Sequence, residues 1–185
     1  MSTRLTPTPG QTIGPFFHDA LPFRGDSELV PAGSIDAIRL HGTVLDGAGE
    51  PIPDAMIEIW QAGPDGRIVQ EPGSLHRDGW TFTGWGRAAT DDAGHYCFST
   101  LTPGATDSGH APFFALTVFA RGLLNRLFTR AYLPDDGALA EDPFLLSVNP
   151  GRRETLVAVP DRTGFVFDVH LQGDRETVFL AYPGH

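Results

Sequence analysis

The sequence predicts an all-β fold: a β-sandwich of about eight strands with an extended N-terminal arm and little helix. Three observations lead there. Short runs alternate apolar and polar residues with a period of two, and the gaps between them are filled by glycine, proline, asparagine and aspartate. Helical hints are confined to Gly137 to Val148. No internal repeat, low-complexity tail or second composition regime divides the chain, so the 185 residues read as an arm over 1–35 and one sandwich domain over 36–185.

The elements follow in order. Prolines at 7, 9, 15, 22 and 31 resist regular structure in the arm, which therefore lies on another surface. Ile38, Leu40, Gly42 and Val44 share one face against Arg39, His41 and Thr43, which is a strand. Turn residues then feed a second strand over Ala55 to Gln61. Further strands are expected at Gly94 to Thr100, Phe113 to Ala120, Arg126 to Leu133, Thr155 to Val159, Phe165 to Leu171 and Thr177 to Tyr182. In the Phe165 run, Phe165, Phe167, Val169 and Leu171 point inward while Val166, Asp168 and His170 point outward. Gly84 to Arg87 reads as a turn, and Gly137 to Val148 as a short helix.

Composition excludes several functions. Thirteen basic against 23 acidic residues give a net charge of −10, which disfavours nucleic acid and anionic membranes as partners. Every one of the thirteen cations is arginine, so chemistry that needs a lysine amine is excluded. No apolar run reaches the ~20 residues of a spanning helix, and the N-terminus has no signal-like segment, so a cytoplasmic location is expected. The single cysteine, Cys97, lies inside a strand pattern and is assigned to packing. Seven histidines form no HxH or HxxxH pair, leaving only a fold-assembled metal site open. There is no Gly-x-Ser-x-Gly elbow, and no glycine loop leads into a helix and lysine as a phosphate site needs.

One ordered set of motifs goes beyond these rules. Gly42 to Ala55 is followed by Glu58 to Ala62 (E-x-W-Q-A), Gly84 to Arg87, Thr90 to Thr100 (T-D-x-x-G-x-Y-x-F-x-T) and Pro103-Gly104. Thr129 to Tyr132, Arg153 to Leu156 and Gln172 to Phe179 complete it. In this order the segments resemble the intradiol ring-cleaving dioxygenases, and the resemblance covers most of the chain.

Catalytic members of that family hold a non-haem ferric ion with two tyrosines and two histidines, phenolate being a hard anionic donor suited to Fe3+. The resemblance places these ligands at Ile68, Thr106, Phe113 and Ala115, none of which has such a donor. It therefore implies no metal ligand and no catalytic residue in this chain. Gln11 to Pro15, Phe119 to Gly122 and Arg152 to Leu156 are similar to the iron-free α-type chains of two-chain members. The implied partner is an iron-bearing β subunit of the same fold in a hetero-oligomer, with Fe3+ as its cofactor. The implied substrate at the shared pocket is protocatechuate, cleaved with O2 to 3-carboxy-cis,cis-muconate in the β-ketoadipate pathway. The resemblance assigns Thr12, Gly14, Pro15 and Arg130 to that pocket. Glycine and proline can bring backbone close to a planar ligand, and arginine can pair with a carboxylate. The bland alternatives are a simple kink at Gly14-Pro15 and an outward strand cation at Arg130. Two rival functions stand beside this one: a self-sufficient iron enzyme with misplaced ligands, and a ligand-carrying β-sandwich with no enzymatic partner.

Overall fold

The computed structural model of the chain describes residues 11, 12, 14, 16–70 and 75–182. Two sheets face each other. The first has the order β4-β1-β8-β7, from β1 (Ile38–Leu45), β4 (His95–Thr100), β7 (Val159–Pro160) and β8 (Gly164–Val166), with β9 (Val169–His170) also on β1. The second has the order β3-β2-β5-β6, from β2 (Met56–Trp60), β3 (Trp85–Ala89), β5 (Phe113–Phe119) and β6 (Leu127–Tyr132), and is antiparallel throughout.

Period-two alternation makes this a sandwich. Leu40, Val44, Tyr96, Phe98, Phe167 and Val169 from the first sheet meet Ile57, Ile59, Ala88, Phe114, Leu116, Val118 and Ala131 from the second in one buried cluster. Burying each of the large side chains contributes roughly 1.5–3 kcal/mol. The expected strands at Ile38, Ala55, Gly94, Phe113 and Arg126 are all present within two residues at each end.

Several expectations need correction. Gly84 to Arg87 is not simply a turn: Gly84 turns at φ +67°, and β3 starts at the next residue. Gly86 sits inside that strand because a Cβ there would collide with Leu29. Most of Thr155 to Val159 is not strand. Asn149 caps a 3₁₀ helix at Pro150–Leu156, with proline at its start, and only Val159–Pro160 pairs as strand. Thr177 to Tyr182 is not a strand either and contributes an isolated bridge between Leu180 and Phe128. The expected helix at Gly137 to Val148 is two, α2 (Asp136–Glu141) and α3 (Pro143–Ser147). Pro143 forces Asp142 into an extended conformation, and the Asp142 side chain then caps α3. Cys97 is half-buried on the outer face of β4 and accepts a hydrogen bond from Arg39 Nε at 3.2 Å, so it does not pack into the core.

From Phe16 onward the arm lies against the body. One helical turn, α1 (Phe16–Ala20), sets Phe17 against Phe119 and His18 Nε2 2.9 Å from the Thr90 carbonyl. Residues 26–30 then close the gap between the sheet edges. Arg87 N donates to Asp26 O on the β3 side, while Ser99 N donates to Ser27 O and Leu29 N to Ser99 O on the β4 side. Among the described residues no helix is long and apolar enough to cross a membrane.

Gly42 marks the tightest crossing. β8 and β9 both run parallel to β1 in one register, interrupted at residues 167 and 168, where the Asp168 carboxylate accepts from Thr43 N at 2.8 Å. The Phe167 carbonyl, which also accepts from Tyr96 Oη at 2.6 Å, lies where a Cβ of residue 42 would be. Gly42→Ala is expected to cost about 1–3 kcal/mol or more in urea unfolding. Gly33→Ala, into open space, should change stability little.

Candidate functional site

Strand β5 carries the site on its outward side. Phe113 and Ala115 face away from the core that takes Phe114 and Leu116. Cross-strand pairing puts Trp60 and Arg130 on either side of Ala115, and Tyr132 beside Phe113.

Two loops complete a pocket of about 210 Å³ lined by Trp60, Gln61, Ala62, Ile68, Gly104, Thr106, Pro112, Phe113 and Ala115. In the first loop Gly66 turns at φ +79° and its N–H bonds to Gly63 O, after which Ala62 and Ile68 bridge. In the second, Gly104 N donates to Gly63 O at 2.9 Å, an approach so close that a Cβ on Gly104 would strike the Pro64 carbonyl. The two loops are thus held together, presenting Ile68 and Thr106 at the pocket.

The four positions assigned from the motifs, Ile68, Thr106, Phe113 and Ala115, therefore converge although they span 48 positions of sequence (115 less 68 is 47 steps). Their donor chemistry does not fit a ferric ion: the lining offers no imidazole, phenolate, carboxylate or thiolate. The Gln61 amide is engaged, accepting from Thr100 Oγ1 and donating to Leu101 O at 2.8 Å. Among the described residues no group of three or more His, Cys, Asp or Glu side chains is placed to hold a metal. Tyr96 and Tyr132 are committed elsewhere, Tyr96 Oη donating to Phe167 O at 2.6 Å and Tyr132 Oη lying against Asp142. Burial holds the Tyr96 phenol far above its ordinary value, and the same effect pushes Tyr132 up to about 12.

Arg130 is held, not loose. Its guanidinium lies 4.2 Å from the centroid of Phe113 and 4.9 Å from that of Phe144, and Nη1 donates to Tyr132 Oη at 2.9 Å. Tyr132 Oη in turn lies 3.4 Å from Asp142 Oδ1. Asp142 is fully buried and accepts from Ala111 N and Leu145 N, each at 3.0 Å. The Tyr132 position follows from its spacing two residues after Arg130. Asp142 and Phe144 carry no local signal of this role, because the turn after β6 folds them back.

The arm residues are placed differently. Thr12 and Gly14 are exposed and line no part of the pocket, and Pro15 lies outside the described residues. Helix α1 is anchored by Phe17 on Phe119, six residues and about 20 Å along β5 from Phe113. The following segment is latched by two arginines. Arg87 bonds Glu58 through Nε and Nη2, at 3.1 and 2.5 Å, and donates to Leu21 O at 2.9 Å. Arg77 donates to the carbonyls of Gly25, Asp26 and Trp85, beside the stacked rings of Phe23 and Trp85.

Residues 14–173 match the family model described as Dioxygenase. The chain belongs to the intradiol dioxygenase family. It is 36% identical to the α chain of protocatechuate 3,4-dioxygenase of Burkholderia cepacia, over 96% of this chain and 98% of that one. Against the β chain of the same enzyme it is 32% identical, over 88% of this chain but 74% of that one. Among solved structures, the dioxygenase domain of a Streptomyces sp. SirexAA-E carbohydrate-binding fusion superposes with a TM-score of 0.59 at 22% identity. That alignment covers 91% of this chain and 99% of the other, a likeness of fold.

The Tyr132 phenol gives a pH prediction. Its folded value of about 12 lies above the unfolded value of 10.0, so its contribution to stability is complete below pH 10 and is lost as pH rises towards 12. Tyr132→Phe should flatten that part of the alkaline unfolding profile, measured by circular dichroism. A variant profile that still steepens between pH 10 and 12 as in the parent would contradict this.

Proposed function

We propose that this chain is the iron-free, non-catalytic α subunit of a protocatechuate 3,4-dioxygenase. In that assembly a same-fold β subunit holds Fe3+, and the complex cleaves protocatechuate with O2 to 3-carboxy-cis,cis-muconate. One observation carries the reading: a chain similar to α chains along nearly its whole length has Ile68, Thr106, Phe113 and Ala115 around a single pocket that offers no ferric ligand. The family's need for iron then falls to a partner of the same fold.

On this reading the chain contributes residues to the mouth of the β subunit's active site, and not to its own apolar pocket. Arg130 supplies a charge-assisted donor to the substrate carboxylate, and Thr12, Gly14 and Pro15 supply arm backbone near the ring. The net charge of −10 disfavours an anionic acid at long range. Within a Debye length of about 8–10 Å a local guanidinium outweighs that field. The braces on Arg130 support the role, since a cation held by two rings and a hydroxyl loses less freedom when it binds.

Two measurements test the proposal. Purified alone, the chain should be colourless and free of stoichiometric iron, with iron and visible absorption present in its complex with the β subunit. A red, iron-loaded isolated chain would overturn it. In the complex, Arg130→Ala should raise KM for protocatechuate about 10–100-fold, the equivalent of one hydrogen bond to a charged group, with iron content unchanged. An unchanged KM would remove Arg130 from the pocket while leaving the subunit assignment standing.

A further inference from the structure

We propose that His41 and His95 form a binding site for one divalent transition-metal ion, with Zn2+ the best fit, on the outer face of the β4-β1-β8-β7 sheet. No local motif joins these histidines, which are 54 residues apart; the β1–β4 register brings them together. That register pairs Thr43 with His95 and His41 with Cys97, so His41 and His95 are diagonal neighbours on one face.

The geometry suits chelation. His41 Nδ1 and His95 Nε2 are 3.4 Å apart, with ring centroids separated by 5.5 Å. Two imidazole nitrogens at about 2.0–2.1 Å from a tetrahedral Zn2+ stand about 3.3–3.4 Å from each other. An ion can therefore sit between the two nitrogens with little movement of either ring.

The second nitrogen of His41 is already committed. Nε2 lies 2.9 Å from Asp161 Oδ2, so it carries the proton and donates, leaving the Nδ1 lone pair facing His95. A carboxylate behind a histidine is the arrangement that orients metal-bound imidazoles. Asp161 is itself fixed in the turn between β7 and β8, accepting from Thr163 N at 2.7 Å and Gly164 N at 2.8 Å. The His41 hydrogen bond, with these backbone donors, holds the Asp161 carboxyl well below its usual range.

Without metal, one proton on His95 Nε2 bridges to His41. An ion there would take the Nδ1 lone pair of His41 and the Nε2 lone pair of His95, with the His95 proton on Nδ1. Cys97 faces His41 across the strands, but its Sγ takes the Arg39 Nε hydrogen bond, and no group of three ligating side chains is placed together among the described residues. Water therefore completes the shell. The acidic balance of the chain favours a cation.

The test is isothermal titration of the tag-free full-length chain with ZnCl2. One Zn2+ per chain is expected, with affinity falling at least about tenfold in His41→Gln and His95→Gln and about 10–100-fold in Asp161→Asn. Because a change at His41 can also disturb the sheet, the wild-type chain is labelled in parallel with diethylpyrocarbonate and analysed by mass spectrometry. Zn2+ should protect both His41 and His95. No saturable binding by the wild type, unchanged affinity in the histidine variants, or equal labelling with and without Zn2+ would each overturn the site and leave an ordinary hydrogen-bonded pair.

Discussion

The alternation of β5 is the constraint on which the rest of the molecule depends. Phe114, Leu116 and Val118 must face inward for the two sheets to share a core, and this sends Phe113, Ala115, Thr117 and Phe119 outward. The same seven residues therefore make the core, the pocket floor and the seat of the arm. A slip of one residue would place the outward set in the core and dismantle all three. Phe113 and Ala115 are available to line the pocket because the packing between the sheets falls to the alternate residues.

Around that strand, charge is used locally. Arg87 and Glu58 form an ion pair whose side chains are only 14% and 19% exposed, so removing either partner would leave the other poorly solvated. The third guanidinium nitrogen of Arg87, Nη1, donates to Leu21 O, while its backbone N–H reaches Asp26 O. Arg130 is built on the same plan at the other end of the sheet, a guanidinium against aromatic faces with one hydrogen bond to a braced hydroxyl. With no lysine in the chain, planar and permanently charged arginine makes both of these braced contacts, stacking on rings while it donates.

Much of the fold was legible because strands buried on one side have to alternate. β1 shows that period plainly, while β2 is legible from its β-forming residues after a turn and β4, β5 and β6 from short runs bounded by turn residues. β3 was hidden because its two neighbouring glycines look like a turn; one is, and the other makes room for Leu29 from a distant segment. The C-terminal third was harder. Asp168 replaces a ladder bond with its side chain, and Asp142-Pro143 divides one helical pattern in two. The four pocket positions were legible only as departures from an ordered motif set, since isoleucine, threonine, phenylalanine and alanine carry no chemistry to find. Asp142 and Phe144 behind Arg130, and His95 beside His41, come from register and turns that no local spacing displays.

The proposed iron-free state of this chain rests on four side chains at one pocket, Ile68, Thr106, Phe113 and Ala115. The most direct measurement is the iron content and visible spectrum of the quadruple variant Ile68→Tyr, Thr106→Tyr, Phe113→His, Ala115→His, reconstituted with ferric ion. About one iron per chain and the red absorption of tyrosinate bound to Fe3+ are expected, both absent from the parent. A variant that keeps the parent's circular dichroism yet takes up no iron would show that these positions do not make a metal site.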